Sequence, residues 1–365
     1  MNSVLLVSVL SMATANPSFA ATPSAAAAEM ETAADQLMAS LSPAQRQQAL
    51  VALADPDREG WRYLPDWALK REGQPPRRGA RIGDLTPVQK VALHHLLQVS
   101  LSDRGYLKAD GIINMDDLLR ELMVRAVEQH APEASGLTLD EARQFGSGNY
   151  WFSLFRDPRS NSAWGWRLEG HHLSINFTIA DGLVFGTPEF MGVEPAMIAS
   201  GPNAGFRLLA AERSLGRTLI RSLTPGQCKL AYLSVKTPQD IIAGPRGEGR
   251  LKRFLGIPAS GLSSTQRRML RQLIEQYAEN LRADVAGREL DDMDRAGFDK
   301  IHFAFAGSAD DGQPLYYVIH GPTLSIEFDN TDADPDHIHT VWHGSHDFGG
   351  DVLRQHYRQF PHPHL

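Results

Sequence analysis

The stretch Gly170-His-His-Leu-Ser-Ile-Asn-Phe177 returns later as Gly321-Pro-Thr-Leu-Ser-Ile-Glu-Phe328, with Gly, Leu, Ser, Ile and Phe in register. Each copy lies in an alternating, aromatic-rich region broken by turn residues. The first region covers 150–155 and 163–178, the second 301–306 and 315–329. Period-two alternation between polar breaks predicts two antiparallel β-meanders. A second signal also repeats: Ser42-Pro-Ala-Gln45, Thr86-Pro-Val-Gln89, Thr224-Pro-Gly-Gln227 and Ser263-Ser-Thr-Gln266 are four capping boxes. In each, a hydroxyl accepts from a free backbone N–H and Gln reaches back three residues later.

The order helix, helix, meander therefore occurs twice, with extra residues in the first copy that predict an added helix around 115–129. The expected fold class is α+β. Internally duplicated helix-helix-β-meander units form one two-lobed domain with pseudo-twofold symmetry. The first repeat lobe covers 35–200 and the second 201–365, as a single globular unit. Before them, a short apolar run from Val4 to Met12 and the small residues of Ser18-Phe-Ala20 predict a signal peptide over 1–20. An Ala/Thr/Ser/Pro-rich disordered linker is expected over 21–34. The expected location is periplasmic or secreted.

Composition narrows the function classes. A net charge of -7 argues against a nucleic-acid partner, which needs a basic face. No run is long and apolar enough for a transmembrane segment. Cys228 is the lone cysteine, so no intramolecular disulfide is possible. Dinucleotide and P-loop fingerprints, Gly-x-Ser-x-Gly and His-Glu-x-x-His are all missing, so no nucleotide cofactor is expected.

Chemistry is expected where the copies depart from each other. Seven of the chain's 14 histidines follow Asp336. His337 and His339 are two apart, so on an extended segment both imidazoles point the same way and can meet one ion. His171 and His172 stand where the second copy has Pro322 and Thr323. On a strand they face opposite sides, which favours His172 as a third ligand and leaves His171 lining the cavity. Glu194 offers a carboxylate to the same centre, and Asp336 can orient a ring nitrogen. The expected cofactor is one divalent transition metal, Zn or Cu. The alternative for the pair is a polar network in which histidines hydrogen-bond loop carbonyls. Trp164, Trp166, Trp342 and Tyr317 read as groove or as core.

Five segments together resemble the domain of unknown function 3500 family: Gly170-His-His-Leu-Ser-Ile-Asn, Thr187-Pro-Glu-Phe-Met-Gly-Val-Glu-Pro195, Ile326-Glu-Phe328, Asp336-His-Ile-His-Thr-Val-Trp342 and Asp347-Phe-Gly-Gly-Asp-Val-Leu-Arg-Gln-His-Tyr357. The resemblance runs from Asp35 to Tyr357. It implies a family often exported and without a settled activity. Trp342, Asp347 and His356 fit the family pattern, which makes them candidates for substrate contact or for support of the ligands. His343 and His346 depart from it and are poor candidates as ligands. The chain is thus expected to be an exported, metal-dependent hydrolase or oxidoreductase with an inter-lobe site and an unknown small-molecule substrate. A non-catalytic envelope protein binding a ligand or a metal is the alternative, and a metal-free hydrolase using a His/Asp pair is a third.

Overall fold

All four capping boxes close in the computed structural model, with the Ser or Thr side chain and the Gln side chain both engaged. The structure describes residues 24–156, 163–245, 247, 251–330, 336–350, 352, 354 and 358. Among them the chain order is α1 (Ala25–Ser40), α2 (Pro43–Ala49), β1 (Leu50–Val51), α3 (Asp66–Arg71), β2 (Ala80–Arg81), α4 (Pro87–Ser100), α5 (Asp103–Glu128), α6 (Leu139–Ala142), β3 (Tyr150–Arg156), β4 (Ala163–Gly170), β5 (Leu173–Ala180), β6 (Leu183–Phe185), β7 (Glu189–Val193), α7 (Ala210–Arg221), α8 (Pro225–Ala231), β8 (Ile257–Pro258), α9 (Ser264–Ala278), α10 (Ala283–Ala296), β9 (His302–Gly307), β10 (Leu315–His320), β11 (Leu324–Asp329) and β12 (Ile338–Gly344).

The capping glutamines do more than cap. Gln45 Nε2 donates to the Asp84 carbonyl at 2.8 Å, and Gln227 Nε2 to the Gly261 carbonyl at 3.0 Å. Gln89 Nε2 donates to the Ser40 carbonyl and Gln266 Nε2 to the Ser222 carbonyl, at 2.9 and 2.7 Å. The two amides of each pair also meet, Gln89 with Gln45 at 3.0 Å and Gln266 with Gln227 at 2.9 Å. Each pair ties two helix starts together. Gln266→Ala breaks a capping box, an inter-helix bond and a loop anchor at once. The expected loss is about 2 kcal/mol of unfolding free energy, measured by urea titration.

Twelve strands form one mixed sheet in the order β1-β3-β4-β5-β7-β12-β11-β10-β9-β8, with β2 on β3 and β6 on β5. Among the pairings between these strands only β1/β3 is parallel, and an isolated parallel bridge joins Tyr232 to Phe305. The end strands are two residues long, which leaves little open edge for another chain to extend.

Alternation gives the sheet two unlike faces. Trp166, Leu168, Ile175, Phe177, Tyr317, Ile326, Phe328 and Trp342 are buried in the apolar core with residues of α1, α4, α5, α7 and α9. The opposite face presents Arg167, Glu169, Asn176, Glu327, His339 and His343, all buried. Irregular segments cover it: the Arg62 backbone N–H donates to Glu169 and the Ile242 backbone N–H to Glu327. Trp61 and Ile241 pack there on Phe190, Val341 and Phe348. Arg167, Arg62, Asp57 and Glu169 form a buried ion network on the β3–β5 side.

Two expectations change. The linker expected over 21–34 is helix from Ala25 on, because Ala26, Ala27, Met30, Ala33, Ala34 and Leu37 form a buried stripe of small residues in the same core as α4. The helix expected around 115–129 starts at Asp103, since Ser102 caps it through the Gly105 N–H. The signal-peptide segment, His356, His362 and His364 lie outside the described residues. No helix among the described residues is long and apolar enough to cross a membrane.

Candidate metal centre

His171 and His172 form the two-residue turn between β4 and β5, where Gly170 pairs with Leu173. Strand alternation therefore does not govern them, and their rings stack with centroids 3.7 Å apart. This overturns the expectation that they face opposite sides. His172 has φ of 62°, a left-handed conformation that is uncommon without glycine and costs about 1–3 kcal/mol. Two backbone bonds hold it: its N–H donates to the Tyr63 carbonyl at 2.9 Å, and its carbonyl accepts from the Gly192 N–H at 2.7 Å. His171 supports the stacked ring. Its Nδ1 lies 2.7 Å from Asp116 Oδ1, and Asp116 Oδ2 accepts from the Gly146 N–H at 2.8 Å.

His337 just precedes β12 and His339 lies within it. The three Nε2 atoms converge. His172 and His337 are 2.8 Å apart, and His337 and His339 2.9 Å. The His172 and His339 ring centroids lie 5.2 Å apart, well within reach of one ion. Zn–N bonds of about 2.0–2.1 Å put tetrahedral ligand nitrogens roughly 3.3 Å apart, so small ring movements would seat the ion. Gly192 opposes His339 across β7 and β12. A Cβ there would lie 2.9 Å from His339 Cδ2 and 3.1 Å from His172 Cδ2, so glycine is what lets the rings meet.

The outer ring nitrogens face carboxylates. His339 Nδ1 is 2.8 Å from Asp240 Oδ1, and the Tyr63 hydroxyl donates to Asp240 Oδ2 at 2.8 Å. His337 Nδ1 lies 3.7 Å from Glu194 Oε2. An imidazole that gives its Nδ1 hydrogen to a carboxylate turns an Nε2 lone pair inward. His339 thus turns a lone pair into the centre, where an ion would replace the close ring-to-ring contacts. Burial, then the neighbouring His171, His337 and His339, holds His172 well below the ordinary histidine range. Burial also lowers His339, against the opposing Asp240 bond. Both rings are therefore neutral near pH 7, the form that binds metal. Burial alone would raise the Asp240 carboxyl, but bonds from His339 and Tyr63 hold it below its usual range.

Other candidates fall elsewhere. Glu194 stands beside the outer nitrogen of His337, outside the group of converging ligand atoms. Asp336 pairs with Arg213 at 3.2 Å. Trp342, with Trp164, Trp166 and Tyr317, is in the apolar core on the far face of the sheet. Asp347 holds His343 Nδ1 at 2.5 Å, four residues beyond His339.

Asp240, Tyr63, Asp116 and Gly192 were not legible as site residues. Thr237-Pro-Gln-Asp240 looks like another turn or helix start. For Asp116 one signal exists: it shares the buried stripe of α5 with Ile112, Ile113, Met115 and Leu119. Asp329, opposite His339 on β11, joins Asp240 and His339 in a second group of possible ligands. A cleft of about 550 Å³ bordered by Trp61, Tyr63, Glu72, Gln74 and Asp240 opens beside this outer shell. Asp240→Asn keeps the shape but removes the charge behind His339, and is expected to weaken zinc binding about 10–100-fold in a chelator competition.

No curated protein and no solved structure matches the chain. The family described as "Protein of unknown function (DUF3500)" matches residues 23–350. With most of its length matched, the chain belongs to the DUF3500 family.

Proposed function

We propose that the protein is an exported, metal-dependent enzyme whose single divalent transition metal, zinc or copper, is held by His172, His337 and His339. The observation that carries this reading is the convergence of three Nε2 atoms, two of them on rings whose outer nitrogens face Asp240 and Glu194. Three imidazoles would leave the fourth position of a tetrahedral ion to a water, the donor set of catalytic rather than structural zinc. A zinc ion there would supply a water made acidic enough to attack a carbonyl or phosphoryl centre. Glu194, part-buried beside the outer nitrogen of His337, would orient that ring. Copper would instead favour oxygen chemistry.

The matched glutamine pairs and the succession β3-β4-β5-β7 beside β12-β11-β10-β9 support the reading that the chain is an internal duplication. On that reading the metal lies where the two copies meet. A non-catalytic metal-binding protein is the second reading, favoured by the burial of His172 and His339.

Elemental analysis of tag-free protein tests the centre. About one equivalent of zinc or copper, lost on chelation and regained on adding the ion, supports it. Absence of metal after reconstitution sinks it. Metal-dependent turnover on a panel of esters, amides and phosphoesters separates the enzyme from the binding protein.

A further inference from the structure

Residues 237–245 have neither helix nor strand, yet they carry the carboxylate behind His339. The segment runs beside β12 on the polar face. Asp240 meets His339, Ile241 packs with Val341 and Phe348, and Ala243 meets His343. Two side chains of the sheet hold it down. Glu327 on β11 accepts from the Ile242 and Ala243 N–H groups, each at 2.7 Å, and from the Tyr316 hydroxyl at 2.6 Å. His343 Nε2 lies 2.8 Å from the Ala243 carbonyl, with Asp347 on its other nitrogen. The two partners bracket the His343 ring at both of its nitrogens. A fully buried carboxylate with three donors and a buried ring held at both nitrogens are fixed points. Among the described residues Asp240 itself meets the hydroxyl of Tyr63, the adjacent Ile241 N–H and the ring it orients.

We propose that residues 237–245 are a strap, and that Glu327 and His343 are positioning residues that set the affinity and exchange rate of the metal by holding Asp240 against His339. The proposal rests on the three-histidine centre described above. Neither residue supplies a ligand atom to that centre. The strap also forms one wall of the cleft, through Asp240 and Pro245, facing Trp61 and Tyr63. Loosening the strap therefore frees the outer nitrogen of His339 and opens a wall beside the buried ligands together.

The test uses full-length protein reconstituted with Zn2+ or Co2+. Glu327→Gln leaves one acceptor oxygen for two backbone N–H groups. His343→Asn keeps an amide near Asp347 and loses the reach to Ala243, so it serves if Glu327→Gln does not fold. Affinity is read by competition with a chromogenic chelator, and exchange by dissociation into excess EDTA. Each variant is expected to bind about 10–100-fold more weakly, chiefly through faster dissociation. The Co2+ absorption bands are expected to stay in place, because the three ligands remain. Glu327→Gln combined with Asp240→Asn is expected to be no weaker than Asp240→Asn alone, since both act through one carboxylate. Affinity and dissociation rate within twofold of wild type, with only the melting temperature lowered, would overturn the strap and leave the metal centre standing. A wild type that takes up no metal removes the centre, and the strap's role with it.

Discussion

His337→Ala is expected to weaken the proposed metal binding on the order of 100–1000-fold and to leave the metal-free fold nearly as stable as wild type. Zinc sites yield about 10–16 kcal/mol, so each of three or four ligands carries roughly 3–4 kcal/mol, on the order of 100–1000-fold in Kd. The ring of His337 is the most exposed of the three and packs little apolar surface, so its removal is expected to change unfolding free energy by less than about 1 kcal/mol. His339→Ala is expected to behave differently. Its ring lies against Tyr63 and Phe190, and its loss leaves Asp240 without its imidazole partner. That variant should lose the metal and also about 2–3 kcal/mol of stability. Calorimetric titration with Zn2+ and urea unfolding of the metal-free proteins check both parts. Unaltered zinc affinity in His337→Ala would remove the centre as described.

The second large effect lies on the opposite face of the sheet. Glu189 on β7 is fully buried, and burial pushes its carboxyl up to about 7, against the Asn280 bond and the Lys108 charge and with the help of Glu212. Asn280 Nδ2 donates to Glu189 Oε1 at 2.6 Å, while Oε2 has no hydrogen-bond partner among the described residues. Lys108 binds Glu212 and Asn280. Below pH 4.5 the carboxyl is protonated in both the folded and unfolded chains and costs nothing. As pH rises from 4.5 through 7, the unfolded chain ionises first and stability falls. By pH 8 the loss is about 3 kcal/mol, from 1.36 kcal/mol for each unit between 4.5 and about 7. Glu189→Gln keeps the acceptor for Asn280 and cannot ionise, so it should be more stable than wild type at pH 8 by about 3 kcal/mol relative to their difference at pH 4. Urea unfolding at both pH values measures this. Parallel pH profiles for the two proteins would show that Glu189 ionises as readily folded as unfolded.

Local patterns carried over into the structure most fully, and one long-range expectation, His172 beside His337 and His339, is also met. The capping boxes and the alternating meanders depend on residues within a few positions of one another, and they formed as read. The pairing of His337 with His339 followed from the same short-range geometry. His171 and His172 were misjudged because a two-residue turn replaced the strand whose alternation was assumed. Asp240, 99 residues from its ring, has no spacing to reveal it. The Ala-rich start of α1 read as disordered because composition does not show that a facing helix will bury a stripe of methyl groups.

Gly192 gives the centre a requirement that ligand identity alone misses. A methyl group at that point of β7 would press on the Ile338 carbonyl and on His172 and His339, the rings proposed to share an ion. Two chains could therefore carry the same three histidines and differ in whether the pocket between them can close. When proteins of this kind are sorted by metal competence, one hydrogen atom in place of a side chain is as diagnostic as the imidazoles themselves.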